Sequence, residues 1–163
     1  MSLKNKHILF ILIGLLCLIS CDEKRVFDKY VKTDGAWNSK DTIQFSFEQK
    51  DTLSLYNLFF NLRNNNDYPY SNIYLISELE TPIGKIEVDT LEYKMALPDG
   101  TLLGNGFSDL KESKLWYQQN YIFRNKGTYT LRIVQALREN GTVAPLPELK
   151  GITEVGFRIE KTQ

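Results

Sequence analysis

The chain has 163 residues, with 20 Lys and Arg balanced against 20 Asp and Glu, one histidine and two cysteines. That length suits one domain with its own core. A formal net charge of +0 offers no basic footprint for nucleic acid or anionic lipid.

Lys4 and Lys6 precede an almost unbroken apolar run from Ile8 to Ile19. A basic start and about a dozen apolar residues make a secretory signal, too short to span a bilayer comfortably. The run ends in Leu18-Ile19-Ser20-Cys21, which resembles the bacterial lipobox. There the cysteine thiol is diacylated and the signal is cut just before it. An ordinary signal peptide would need a small-x-small site, and Leu18 spoils that pattern for a cut after Ser20. Cys17 is the weaker acceptor, because bulky Leu16 precedes it. Each buried methylene contributes about 0.8 kcal/mol, so two or three acyl chains anchor the protein stably without spanning the membrane.

Removal of residues 1–20 takes away Lys4, Lys6, His7 and Cys17 and leaves a slight acidic excess. With Cys21 acylated, the mature domain has no imidazole, free thiol or disulfide. Ser-His and Cys-His catalysis and the usual zinc ligand sets are thereby excluded. Carboxylate chemistry stays open. No later segment is apolar enough to cross a membrane.

Asp22-Glu23-Lys24-Arg25 reads as a charged tether. In some Gram-negative bacteria the residues after the acylated cysteine steer sorting between membranes, but the codes differ, so inner membrane, outer membrane and cell surface all stay open. Val26 to Tyr30 is the first expected ordered contact, with Phe27 and Tyr30 docking. Trp37, in loop-like Asp34 to Asn38, is expected to cap a core. From residue 41 the apolar period is two. Ile43, Phe45 and Phe47 alternate with polar residues, as do Tyr56, Leu58, Phe60 and Leu62. Ile73 and Leu75 face opposite Tyr74 and Ile76, which predicts cover on both faces. Leu91, Tyr93, Met95 and Leu97 form a strand stopped by Pro98-Asp99-Gly100. Trp116-Tyr117 and Tyr121-Ile122-Phe123 follow, with Ser113 to Gln119 read as strand rather than short helix. Tyr129, Leu131 and Ile133, then Val155, Phe157 and Ile159, close the series.

Seven such segments predict an all-β fold, a single antiparallel β-sandwich. The expected division is signal 1–20, tether and N-terminal segment 21–40, and sandwich 41–163. Gly127-Thr128-Tyr129 resembles the tyrosine corner of immunoglobulin-like sandwiches, although a jelly roll reads equally well from strand spacing.

Within Asn64 to Asn72, Tyr68 and Tyr70 are candidates to stack on a sugar or peptide; the alternative is a polar loop pinned by Tyr68 and Pro69 on the sandwich end. Gly100, Gly104 and Gly106 match no phosphate-loop spacing. Asn140-Gly141-Thr142 reads as a turn. Glycoside hydrolysis needs two convergent carboxylates, and nothing in sequence brings together any pair of Glu78, Glu80, Asp109 and Glu112. No stretch has the alternating oxygen ligands of a calcium loop, and no metal ligands are assigned.

Several runs, in order, carry a family resemblance: Val88-Asp89-Thr90-Leu91-Glu92-Tyr93, Pro98-Asp99-Gly100-Thr101, Leu103-Gly104-Asn105-Gly106, Lys114-Leu115-Trp116-Tyr117, Gln135-Ala136-Leu137-Arg138 and Gly151-Ile152-Thr153-Glu154-Val155-Gly156. With the lipobox they resemble GldH, the gliding-motility lipoprotein family of the Bacteroidota, over essentially the whole chain. The resemblance implies a non-catalytic cell-envelope lipoprotein that supports gliding and the type IX secretion linked to it. Its implied partners are the membrane, through the lipid on Cys21, and other gliding or secretion proteins. No nucleic acid, small-molecule substrate or further cofactor is expected. Asp41-Thr42-Ile43, Asp51-Thr52-Leu53 and Asp89-Thr90-Leu91 resemble the O-glycosylation motif of exported Bacteroidota proteins, placing candidate sites at Thr42, Thr52 and Thr90. They read equally as Asp turns before a β-branched strand start. A competing function, glycan binding for polysaccharide uptake, requires an exposed aromatic platform at Tyr68 and Tyr70, or at Trp116 and Tyr117.

Overall fold

The structure, a computed structural model, describes residues 24–162. Among them are ten strands and no helix: β1 (Arg25–Lys32), β2 (Ala36–Asn38), β3 (Ile43–Gln49), β4 (Tyr56–Asn64), β5 (Asn72–Glu80), β6 (Ile86–Lys94), β7 (Lys111–Tyr121), β8 (Gly127–Gln135), β9 (Glu148–Lys150) and β10 (Ile152–Lys161). Period-two patterning places them. In β3, Ile43, Phe45, Phe47 and Gln49 are buried and every residue between them is exposed. Alternate residues of β5 and β8 are buried in the same way.

The long strands form two antiparallel sheets. One has the order β1-β10-β4-β7 and the other β3-β8-β5-β6, while β2 and β9 make a separate ribbon. The pairings are nested: β1 with β10, β3 with β8, β4 with β7 and β5 with β6. A chain rolled up this way as one long hairpin is a jelly roll. The tyrosine-corner signal is nonetheless a good local guide. Tyr129 is buried, and its hydroxyl lies 3.1 Å from both the amide and the carbonyl of Asn125. Tyr129 thus fixes the corner before β8 without deciding strand order.

Phenylalanines join the sheets. Phe47 lies 5.4 Å from Phe27 and 5.8 Å from Phe157 of the facing sheet, and 5.5 Å from Phe123, centroid to centroid; within one sheet, Phe60 of β4 stacks on Tyr117 of β7 at 4.6 Å. Such pairs add about 0.5–1.5 kcal/mol beyond buried area. Phe27 draws β1 into the sandwich, so strand pairing begins well before residue 41, with Phe27 opposite Ile159 and Tyr30 opposite Gly156. Trp37 is buried in β2, and its indole N–H donates to the Asp41 carbonyl at 2.9 Å.

Two expectations need correction. Tyr74 and Ile76 are only half-buried; the outer face of β5 has no second layer among the described residues. The strand covered on both faces is β4, where Phe59 and Asn61 are buried as well as the inward-facing Leu58, Phe60 and Leu62. The strand after Leu91 ends at Lys94, with Met95 buried and Leu97 exposed. The predicted turn follows there: Gly100, at φ 87°, donates its N–H to the Leu97 carbonyl at 3.0 Å.

Candidate functional site

Strand register lays a polar and aromatic plate across the outer face of β1-β10-β4-β7. One row runs Tyr30, Gly156, Asn61, Lys114; another runs Lys32, Glu154, Arg63, Glu112; a third runs Asp28, Arg158, Phe59, Trp116. Tyr30 lies flat over Gly156, where any Cβ would sit 2.7 Å from ring carbons Cδ1 and Cε1. Only glycine leaves room for the ring. The Arg63 guanidinium stands 4.5 Å from the centroid of Tyr30 and bridges two acids, Glu112 at 2.5 Å and Glu154 at 2.6 Å. The Asn61 amide donates to the Tyr30 hydroxyl at 2.8 Å, and that hydroxyl donates to Glu112 at 3.2 Å. Burial, then the negative charges of Glu112 and Asp28, push the Tyr30 phenol up to about 12. It stays a protonated donor at neutral pH.

Beside it, Arg158 pairs with Asp28 at 3.0 Å and with Glu160 at 2.6 Å, and Lys114 pairs with Glu160 at 2.7 Å. Burial opposes the Glu160 charge, but hydrogen bonds from Lys114 and Arg158 outweigh it and hold the carboxyl below its usual range. Lys114 Nζ also sits 4.0 Å from the Phe59 centroid. Trp116 covers the same ring at 4.4 Å. Phe59 is only 4% exposed while Trp116 is 51% exposed. An exposed indole on a buried ring, with Lys114 over that same ring and Arg158 beyond it in the row, is an aromatic centre of the kind that anchors protein interfaces.

The sequence-predicted positions are scattered. Leu18, Ile19, Ser20 and Cys21 lie outside the described residues. Tyr68 is 3% exposed, and its hydroxyl donates to the Asn72 carbonyl at 2.7 Å. Tyr70 packs edge-on to it at 5.9 Å, half-buried. The pair pins the loop and presents no open stacking face. Tyr117 is buried too, leaving Trp116 as the exposed member of its pair. Thr42 and Thr90 are exposed and Thr52 is half-buried. Asp51 does make a turn, accepting from the amides of Leu53 and Ser54 at 2.9 and 3.1 Å. Asp89-Thr90-Leu91, however, lies in the middle of β6 and not at a strand start.

Among the carboxylates, Glu78 and Glu80 lie on β5 in the other sheet, Glu80 paired with Arg132 at 2.8 Å. Glu112 is taken up by Arg63. Two acids outside the carboxylate candidates drawn from the sequence, Glu87 and Asp89, are half-buried on the inner side of β6. Tyr121 donates to Glu87 at 3.1 Å, and Tyr117 and Gln118 donate to Asp89 at 3.3 Å. They close the seam between the two sheets where β6 faces β7; polar residues in an otherwise alternating strand were the available signal. No group of three or more metal-ligating side chains occurs among the described residues.

The family model described as GldH lipoprotein matches residues 25–159. The chain belongs to the GldH lipoprotein family. It is 51% identical over 161 residues to the protein named Gliding motility lipoprotein GldH of Flavobacterium johnsoniae, covering 99% of both chains. It is 48% identical to the Gliding motility lipoprotein GldH homolog of Christiangramia forsetii, covering 98% of this chain and 99% of that one. Solved structures align more loosely: the infectious bursal disease virus VP2 subviral particle (TM-score 0.44, 16% identity) and a family GH115 4-O-methyl-alpha-glucuronidase (TM-score 0.45, 13% identity). This chain spans 85% and 88% of itself there, but only 32% and 18% of those longer chains. The runs that carried the GldH resemblance fall on defined elements: Lys114 to Tyr117 in β7 holds the exposed Trp116, and Gly151 to Gly156 opens β10 and ends under Tyr30.

Proposed function

We propose that this protein is a non-catalytic, lipid-anchored component of a cell-envelope gliding machinery, linked to type IX secretion. Full-length identity of 51% to the gliding motility lipoprotein of Flavobacterium johnsoniae carries that reading. Cys21 bears the lipid, and the signal up to Ser20 is removed. The anchor holds the sandwich at the membrane and raises its local concentration there. The plate around Trp116, Tyr30 and Arg158 binds a second envelope protein. Its acids and bases are mostly paired with each other, which suits recognition more than proton transfer.

The test is a deletion in the protein's own host, rescued in parallel by wild type and by Cys21→Ala. Gliding is scored by microscopy and adhesin display by surface labelling. Loss on deletion, restored only by the wild-type protein, is the expected result. Normal gliding and secretion with failed growth on a polysaccharide would replace this function with glycan binding.

A further inference from the structure

Strand directions place one set of loops beside the start of β1. The Lys24 carbonyl accepts from the Lys161 amide at 2.8 Å, and the Leu55 carbonyl accepts from the Thr162 amide at 2.8 Å. Tyr56 pairs with both Lys161 and Tyr121, Gln49 with Gly127, and Glu80 with Ile86. A Cβ on Gly127 would come within 3.0 Å of Pro82. Residues 50–55, 81–86 and 122–126 therefore share one end of the sandwich with residue 24. Cys21 lies three residues before it, a reach of at most about 11 Å however those residues run.

This end is apolar at its tips and basic around them. Leu53 is 90% exposed and Ile83 70% exposed, with Leu55, Ile86 and Ile122 also exposed. None of them has a covering layer among the described residues. Lys50, Lys85, Arg124 and Lys126 are exposed among them. A groove of about 510 Å³ opens between Ile83 and Lys85 on one side and Ile122 and Arg124 on the other. The nearby acids include Asp51, held by its own turn and by Lys161 at 3.5 Å, and Glu87, which pairs with Lys85 at 2.8 Å while Lys85 stays exposed. Glu48 accepts from the Thr128 hydroxyl at 3.0 Å and offsets part of the positive charge. Asp22 and Glu23 offset a further part. Exposed aliphatic tips ringed by Lys and Arg match the boundary between headgroups and acyl chains of an anionic bilayer.

We infer that this end of the sandwich is itself a membrane-docking surface. Leu53 and Ile83 enter the headgroup boundary, and Lys50, Lys85, Arg124 and Lys126 face lipid phosphates. The inference rests on acylation of Cys21, because the short reach from the anchor is what brings this end to the lipid. Docking stands the strands along the membrane normal and turns the Trp116 plate sideways, toward a neighbouring protein.

The test uses the acylated full-length product, whose domain carries no other thiol. Leu53→Cys, Ile83→Cys and, at the opposite end, Val143→Cys each receive an environment-sensitive dye. The protein is reconstituted into vesicles of phosphatidylcholine with phosphatidylglycerol, or of phosphatidylcholine alone. Lipid-borne quenchers should reach dyes at 53 and 83 but not at 143. Replacing Lys50, Lys85, Arg124 and Lys126 by Ser should weaken insertion about fivefold per cation on the phosphatidylglycerol vesicles and much less on phosphatidylcholine alone. All these positions are exposed, and thermal unfolding of each variant checks that it is folded. If the protein floats with vesicles while dyes at 53 and 83 stay as wet as at 143, docking is overturned and the anchor stands. If it does not float and Cys21 carries no lipid by mass, the anchor reading falls and this inference falls with it.

Discussion

Gly156 shows how one atom decides a surface. Its backbone is not left-handed; the constraint is the Tyr30 ring, 2.7 Å from where a Cβ would stand. Gly156→Ala is expected to destabilise by about 1–3 kcal/mol, as overpacking does, measured by urea unfolding. In a Tyr30→Ala background the same change should cost little, since the coupling is between these two residues. Tyrosines set the alkaline limit. Burial pushes Tyr68, Tyr93, Tyr117 and Tyr121 above the ordinary phenol value, and Tyr30 rises to about 12. A raised folded-state pKa contributes stability that is whole below the unfolded value near 10 and is lost as pH climbs through the folded values. Stability should therefore decline from about pH 10 upward, with phenolate absorbance and loss of the near-UV signal rising together. Phenolate appearing fully near pH 10 in a folded protein would contradict the buried placement of these rings.

At the scale of elements, β1 is the strand that sequence reading undervalued. Arg25 to Lys32 has one strong inward anchor, Phe27, and otherwise exposed or half-buried residues. It sits at a sheet edge with a single partner, so its pattern is weak. Phe27→Ala is expected to lower stability by about 2 kcal/mol, below the range for a fully buried ring, because it loses Phe47 and Phe157. An unchanged unfolding midpoint would make β1 a mere tether. By contrast β3 was legible residue by residue, since an edge strand with one wet face alternates cleanly. In β4, Phe59 and Asn61 spoil the alternation. What buries them, Trp116, Lys114 and Tyr30, comes from β7 and β1, distant in sequence.

For the whole molecule, the proposed work divides between the plate, which takes a partner, and the anchor-proximal end, which meets the membrane. Trp116→Ala should cost stability only about 1 kcal/mol, the worth of an exposed aromatic pair, yet reduce capture of an envelope partner by tenfold or more if Trp116 is a hot spot. Crosslinking in cells against the unfolding midpoint separates the two. Equal loss of both would reduce Trp116 to a lid on Phe59.

Local physics settled much from the sequence alone. The all-β class, the turn at Pro98 to Gly100 and the Tyr129 corner each depend on residues close in the chain, and so does the proposed leader ending at Cys21. The ordered motifs of the GldH family added the relationship. Tertiary structure decided what depends on distant strands meeting. Nested pairing, with Phe27 opposite Ile159 and Ile43 opposite Ile133, makes a jelly roll that strand spacing cannot distinguish from other sandwiches. The same pairing buries Tyr68, which composition offered as a ligand residue. It also gathers Lys50, Lys85, Arg124 and Lys126 at one end of a chain whose net charge is +0. Net charge is a sum over residues, whereas a membrane feels where the charges stand.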